Sequence, residues 1–156
     1  MAVTAQDMYR AMMRDSVAPR LRAMGWKGSG QTYVLPDARV WVLLSMQLSR
    51  GDTASLLRFT INISVVGKDA WAAFRAERPT LPVRPLASRY YGPMFFWRRI
   101  GDLMPADEDI WWDVAADHSQ GRVERVADEV CGAVAEYAMP EIQRLVRAGG
   151  VWEAGS

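Results

Sequence analysis

Two stretches of the chain decide its fold, RVWVLLSMQLS at positions 39–49 and LLRFTINISVV at positions 56–66. Apolar residues occupy every second position through the middle of each stretch, and this period is typical of a half-buried β-strand. The alternating apolar residues are Val42, Leu44, Met46, Leu48, Phe59, Ile61, Ile63 and Val65. A loop that contains Arg50, Gly51 and Asp52 separates the stretches, which therefore predict an antiparallel pair of strands.

The alternation also predicts how these two strands pair. A register that places Met46 opposite Phe59 brings the apolar side chains to one face, as a half-buried antiparallel sheet requires. The same register puts Gln47 beside Arg58 on the opposite face. That second face carries Trp41, Leu43, Ser45, Gln47, Arg58, Thr60, Asn62 and Ser64. We expect it to be a polar platform that is either solvated or used for binding.

The periodicity of the remaining chain predicts the other elements of a single α+β domain. These are a helix over 4–24 that Pro19 interrupts, a turn at 28–30, a strand over 31–35, a helix over 68–78, strands over 93–101 and 110–115, and a helix from Ser119 that Asp117 caps and Pro140 interrupts. Together they predict an antiparallel sheet of about five strands, with the N- and C-terminal helices packed on one face. We expect the domain to cover 8–147, with frayed termini at 1–7 and 149–156.

The composition excludes several classes of protein. The chain has 156 residues, a formal net charge of +1, one cysteine (Cys131) and one histidine (His118). The charge excludes a strongly basic nucleic-acid binder, and the single Cys and His exclude a zinc finger and a disulfide scaffold. No apolar run reaches the length of a membrane span, and the N-terminus lacks the apolar core of a secretion signal. We therefore expect a cytoplasmic domain with no metal and no cofactor.

The charges are segregated along the chain. The stretch Arg75–Arg99 contains six arginines and one acid, whereas Asp102–Glu136 contains ten acids and two arginines. Arginines interleaved with aromatic residues suit phosphates and stacked bases, which makes a nucleic acid a further candidate partner. The near-neutral net charge favours the simpler interpretation that the two stretches lie side by side and neutralise each other.

Three residues are candidates for proton transfer or for a loose metal or acid–base site, namely Asp113, Asp117 and His118. Asp117, His118 and Ser119 are consecutive, and adjacent residues do not converge on one site as a catalytic triad does. A capped helix N-terminus is the better explanation of this run. No nucleophile elbow, Walker motif, dinucleotide fingerprint or HExxH motif is present. The sequence leaves enzymatic activity open and favours a role without catalysis.

Polar and aromatic residues on the second face are the candidates for binding. Trp111 and Trp112 are adjacent on a predicted strand, so their side chains face opposite ways and one of them lies outside the core. Trp and Arg are enriched at binding hot spots, and an Asn inside a β-branched strand runs against propensity. The candidate residues for a ligand or partner are Trp41, Gln47, Arg58, Asn62, Arg99 and Trp111.

Four motifs, taken in order, resemble a known family. They are Met24–Lys27 followed by Gly30 and Tyr33, then Met46–Ser49, then Phe59–Ile63, and finally Arg99–Leu103 followed by Asp109–Trp112. With these motifs the chain resembles, from about Met8 to Leu145, the bacterial family catalogued as domain of unknown function 4304. The resemblance implies a compact stand-alone bacterial domain and supplies no mechanism. It adds weight to four binding candidates, since Gln47, Asn62, Arg99 and Trp111 lie in the motifs.

Two functions follow from these observations. The first is a non-catalytic binding protein whose polar sheet face engages a protein partner or a small ligand, in an accessory or immunity-like role. The second is a small enzyme or accessory factor that holds a small anionic substrate with Arg58 and Arg99 and stacks it on Trp41 or Trp111. A flat, open face favours the protein partner, and a deep pocket favours the enzyme. The sequence sets no oligomeric state.

Overall fold

The computed structural model describes residues 2–152, which form six strands and five α-helices. The strands are β1 (Lys27–Ser29), β2 (Thr32–Val34), β3 (Val40–Leu48), β4 (Leu56–Gly67), β5 (Phe96–Arg99) and β6 (Trp112–Ala115). The helices are α1 (Ala5–Met12), α2 (Ala18–Ala23), α3 (Lys68–Ala76), α4 (Gln120–Ala133) and α5 (Met139–Arg147). The predicted α+β class, with one antiparallel sheet and helices at both ends of the chain, is confirmed.

The sheet is built around β4. Its strands run antiparallel in the order β1-β2-β3-β4, and the far edge of β4 pairs with two different strands. Residues 62–65 of β4 pair with β5, and residues 56–59 pair with β6. The central strand is therefore hydrogen-bonded to three others, and both β5 and β6 bring their side chains beside it.

The pairing of β3 with β4 differs from the predicted register by two residues. Leu48, rather than Met46, lies opposite Phe59. The loop between the strands sets this register, because the amide of Ser49 donates to the carbonyl of Arg58 and the amide of Arg58 donates to the Asp52 carboxylate. A shift of two residues leaves every side chain on its predicted face, since side chains alternate with period two. Alternation alone does not distinguish these two registers.

The apolar face of the sheet packs against the N- and C-terminal helices. Phe59 lies at the centre of this core, with ring centroids 5.2 Å from Tyr9 of α1 and 5.6 Å from Trp112 of β6. Aromatic side chains each bury about 150–250 Å², so this cluster supplies much of the driving force for packing the helices on the sheet. Trp112 is the tryptophan of the adjacent pair that enters the core, and Trp111 faces the other way.

Each terminal helical segment contains a π-helical turn just before a proline. The turn Met13–Val17 precedes Pro19, and the turn Val134–Ala138 precedes Pro140. Proline has no N–H to donate within a helix, but it is tolerated in the first turn, where that donor has no helical partner. Each proline therefore lies in the first turn of a new α-helix, and the chain continues as a helix instead of ending.

Two local expectations are wrong. Ser119, not Asp117, caps α4, because the Ser119 hydroxyl accepts a hydrogen bond from the amide of Arg122. The predicted turn at 28–30 is partly strand, since β1 pairs with β2 as a short hairpin. The hairpin places Gly28 opposite Tyr33, and Gly28 has a φ of 137°, which glycine adopts without strain.

Residues on both sides of the expected range 8–147 make contacts with the rest of the domain. Helix α1 starts at Ala5, and Thr4 and Asp7 form a capping box at its start. At the other end, the Trp152 ring lies 5.4 Å from the ring of Phe96 and packs on the sheet. Both ranges expected to fray therefore contain packed residues, and Met1 and residues 153–156 lie outside the described part of the chain.

The second face of the sheet, opposite the terminal helices, is partly covered. Helix α3 and the residues that follow it, 77–95, lie over this face. We call residues 77–95 the covering segment. Trp71 of α3 is buried, with ring centroids 4.7 Å from Tyr91 and 5.8 Å from Phe95. The indole N–H of Trp97 on β5 donates to the carbonyl of Ala87 at 2.9 Å, which ties the segment to the sheet. The expected open platform is therefore a partly enclosed surface.

A substitution at Gly101 tests how tightly the chain after β5 folds back. A Cβ there would overlap the carbonyl oxygen of Glu108 and lie 2.9 Å from the amide nitrogen of Ile110. We expect Gly101→Ala to lower the free energy of unfolding in urea by about 1–3 kcal/mol, because backbone has to move.

The matched control is Gly132→Ala in α4, where an added Cβ meets nothing within 4 Å. It should raise the free energy of unfolding by about 0.5–1 kcal/mol through helix propensity. Equal stability of Gly101→Ala and the unmodified chain would contradict the close approach.

Candidate functional site

A row of polar side chains crosses the second face on three adjacent strands. Ser45 on β3 lies opposite Asn62 on β4, and Asn62 lies opposite Arg99 on β5. Directly opposed residues share a face, so the three side chains stand side by side. Gln47 lies two residues beyond Ser45 on β3, and its Oε1 accepts a hydrogen bond from Nδ2 of Asn62 at 2.9 Å. We call these four residues the polar strip.

The polar strip is buried at its centre and open at its edges. Asn62 is 0% exposed and Ser45 is 4% exposed, whereas Gln47 and Arg99 are partly exposed. We expected the Asn62 amide on an accessible platform, and that expectation is wrong. The reason is the second layer over this face, which alternation along β4 does not reveal.

Three polar atoms of the strip have no hydrogen-bond partner within residues 2–152. They are Oγ of Ser45, Oδ1 of Asn62 and Nε of Arg99. Leaving a buried polar atom unpaired costs roughly 1–3 kcal/mol, so this row is not explained by stability. It offers one donor, one acceptor and a hydroxyl that can act as either. All three atoms are closed off from solvent, so only the partly exposed ends of the strip at Gln47 and Arg99 can meet another molecule.

Arg99 is held in place at the outer end of the strip. Its Nη1 donates to Oδ2 of Asp109 at 2.8 Å, and its guanidinium lies 5.2 Å from the ring centroid of Trp111. The indole N–H of Trp111 donates to the same carboxylate oxygen at 3.0 Å. Charge-assisted hydrogen bonds and a cation–π contact therefore join three side chains into a charge-balanced cluster.

Two other binding candidates lie apart from this cluster. Nε of Arg58 donates to Oδ1 of Asp113 at 2.8 Å, and this hydrogen bond raises the pKa of Arg58 above its ordinary value. Trp41 lies at the other end of β3 within the apolar cluster of the covering segment, and Nζ of Lys68 is 4.4 Å from its ring centroid. The structure thus groups Gln47, Asn62, Arg99 and Trp111 and separates Trp41 and Arg58 from them.

The three candidates for proton transfer do not share a cleft. The Asp113 carboxylate is paired with Arg58, and Asp117 is exposed. Nδ1 of His118 accepts a hydrogen bond from the amide of Ala115 at 3.1 Å, so this ring nitrogen is already occupied. His118 therefore closes the turn after β6.

The covering segment carries a feature that the sequence analysis missed. Four of its large apolar side chains are exposed, namely Val83 at 69%, Leu86 at 52%, Tyr90 at 53% and Met94 at 60%. Arg84 and Arg89 are exposed among them, and residues 78–99 contain no acid. We call these six residues the apolar–basic surface. The arginine-rich, aromatic stretch was the available signal, but only packing decides which of its apolar side chains face outward.

The basic stretch is neutralised by the acidic stretch at one place. Within residues 2–152, the ion pair of Arg99 with Asp109 is the one that joins them. Arg84 and Arg89 are not part of that pair. The apolar–basic surface therefore keeps its positive charge.

The recess between the sheet and the covering segment is small. A cavity of about 120 Å³ lies there, with Leu43, Ser45 and residues 84–88 among its walls. Small-molecule sites usually measure about 300–1,000 Å³. The second face is therefore a shallow recess beside an exposed surface, and it does not have the form of an enclosed active site.

Two further observations bear on function. Within the described chain, no group of three or more His, Cys, Asp or Glu side chains is placed to hold a metal ion. None of the helices in residues 2–152 is long and apolar enough to cross a membrane.

These features define the structural class of the protein, which is a single α+β domain with one antiparallel sheet. Terminal helices cover one face of the sheet, and the other face carries the polar strip. A family model described as a domain of unknown function, DUF4304, matches residues 17–144. The match covers most of the chain, so the chain belongs to this family. Searches of curated proteins and of solved structures find no match.

Replacement of Asn62 by leucine tests whether the strip stabilises the fold. Leucine has a similar size and removes the unpaired oxygen, while the partly exposed Gln47 amide can turn to water. We expect Asn62→Leu to unfold in urea with a free energy equal to, or up to about 1 kcal/mol above, that of the unmodified chain.

The control for Asn62→Leu is Thr60→Val on the same strand and face. Oγ1 of Thr60 donates to the carbonyl of Ile110 at 2.6 Å, so this variant loses a satisfied buried hydrogen bond. We expect it to lose about 1–3 kcal/mol. A comparable loss in Asn62→Leu would show that the Asn62 amide is a structural group.

Proposed function

We propose that this protein is a non-catalytic binding protein that engages a protein partner through the second face of its sheet. The observation that carries the proposal is the exposure of Val83, Leu86, Tyr90 and Met94 on one segment of that face. Several large exposed apolar side chains within one short segment, residues 83–94, favour an interaction site, because water contact with such surface is unfavourable. The role is accessory or immunity-like.

The composition of the apolar–basic surface supports a protein partner. Tyr, Met and Arg are enriched at protein interfaces relative to the rest of protein surfaces. Burial of one large apolar side chain contributes about 1.5–3 kcal/mol, so these exposed side chains are sufficient anchors for a specific contact.

The covering segment is tied to α3 and to the sheet by direct contacts, and a surface formed in advance lowers the entropy cost of binding. The indole N–H of Trp71 donates to the carbonyls of Pro82 and Val83, both at 3.1 Å. The Tyr90 ring lies 6.0 Å from that of Trp97 on the sheet beneath it. These contacts orient the anchors before any partner arrives.

Charge favours an acidic partner surface. Arg84 and Arg89 flank the apolar anchors, and the nearest stretch of chain contributes no acid. A complementary acidic patch would steer the encounter and disfavour basic competitors. The edges of the polar strip, at Gln47 and Arg99, supply hydrogen-bonding groups that select among such partners.

The two arginines on the sheet are already paired with carboxylates, which favours a protein partner over a small anionic substrate. Arg58 and Arg99 each have a carboxylate oxygen at 2.8 Å, so their charges are already balanced. A substrate anion would have to displace Asp113 or Asp109.

The proposal includes the bacterial, cytoplasmic setting that we expect from the sequence.

A pair of variants tests the proposal in a lysate of the source organism. The full chain is immobilised, and captured proteins are quantified by mass spectrometry for the unmodified chain, for Leu86→Ser with Met94→Ser, and for Leu56→Ser. Leu56 is a matched control, since it is 40% exposed and lies on β4 outside the covering segment. We expect to find a protein that the unmodified chain and Leu56→Ser both capture and that the double variant does not.

Binding of the purified partner should then weaken about 10- to 100-fold in the double variant and stay unchanged in Leu56→Ser. Equal capture by the double variant would exclude the apolar–basic surface as the interface. Retention of a metabolite without any protein would favour the small-ligand alternative.

A further inference from the structure

A second groove lies beside the N-terminal helices, outside the apolar–basic surface. It has a volume of about 320 Å³ and runs between α1, α2 and the turn at 29–31. Its floor includes Tyr9, Met13 and Ala18, which are all at most 4% exposed. Met13 begins the π-helical turn Met13–Val17, and such turns occur frequently at functional sites. The volume lies within the range of about 300–1,000 Å³ that is usual for small-molecule sites.

Three arginines stand at the rim of this groove. Arg10 pairs with Asp7 at 2.9 Å, and Arg14 pairs with Asp15 at 2.8 Å. Arg22 differs from both, because its guanidinium donates to the carbonyl of Gly28 at 3.1 and 3.2 Å and has no carboxylate partner between residues 2 and 152. The rim therefore carries one cation whose charge is not balanced.

Tyr9, which lines the groove, carries a polar atom that also lacks a partner. The hydroxyl of Tyr9 is buried and makes no hydrogen bond to the rest of the described chain. Burial, with the neighbouring Tyr33, raises its pKa well above the ordinary value, so the group stays a neutral donor. An unpaired buried hydroxyl is unfavourable, so the packing beside this groove is not optimised for stability alone.

We propose that this groove binds an amphipathic monocarboxylate, with its aliphatic chain over Met13 and Ala18 and its carboxylate on Arg22. A guanidinium matches a carboxylate through two parallel N–H···O hydrogen bonds. One unbalanced cation matches one negative charge, whereas a phosphate monoester would require a second free cation. An apolar floor excludes small hydrophilic acids, because they cannot bury it from water.

The probe for this site is octanoate, titrated into the isotope-labelled full chain and followed by backbone amide chemical shifts. We expect shifts at residues 9–22 and 29–31. 1-Octanol is the uncharged comparison and octylammonium the cationic one. We expect both to bind at least about tenfold more weakly than octanoate, since neither makes the charge-assisted hydrogen bonds.

Two variants assign the contacts. Arg22→Gln should weaken octanoate binding about tenfold or more, whereas Arg125→Gln, at an exposed arginine on α4, should not change it.

Several results would overturn this inference. Octanoate shifts outside the groove, or no shifts up to millimolar octanoate, would exclude the site. Equal affinity for octanoate and 1-octanol, or unchanged binding in Arg22→Gln, would exclude recognition of the carboxylate. None of these results depends on the partner surface of the second face, so the two proposals fail separately.

Discussion

The burial of β4 on both of its faces is the constraint on which the rest of the structure depends. Residues 59–66 of this strand are all buried. On one side lie the terminal helices, and on the other lie α3 and the covering segment. The backbone N–H and C=O groups of β4 point sideways in the plane of the sheet, and a strand this deeply buried needs partners there, which β3, β5 and β6 supply. The arrangement of three strands around one follows from that requirement.

The same burial divides the polar residues of β4 into two kinds. The Thr60 hydroxyl has a hydrogen-bond partner, since the loop before β6 brings the Ile110 carbonyl within 2.6 Å of it. The Asn62 amide is only partly paired, because its Nδ2 donates to Gln47 while its Oδ1 has no hydrogen-bond partner within residues 2–152. An unpaired buried amide oxygen costs roughly 1–3 kcal/mol relative to a paired one. The row that contains Asn62 therefore contributes little to the stability of the fold.

Parts of the site were predictable because they depend on local periodicity. Asn62 and Gln47 share a face in either register, since registers two residues apart preserve the faces. Trp111 faces away from Trp112 for the same reason. The position of Arg99 opposite Asn62 was not predictable, because it depends on the pairing of β5 with only part of β4. The burial of Asn62 was missed because a chain segment distant in sequence covers it.

The sequence by itself determined the α+β class, the faces of β3 and β4 and the helices that flank the sheet, because these follow from side-chain periods of 2 and 3.6 residues. Only the tertiary structure decided the register, the layer over the second face and the exposure of Leu86 and Met94. The layer and the exposures depend on contacts between distant segments, and the register depends on hydrogen bonds in the loop between β3 and β4. Neither kind of contact leaves a periodic signal in the residues that make it. The capping of α4 by Ser119 belongs to the same group, since Asp117 and Ser119 are both suitable caps and the end of β6 decides between them.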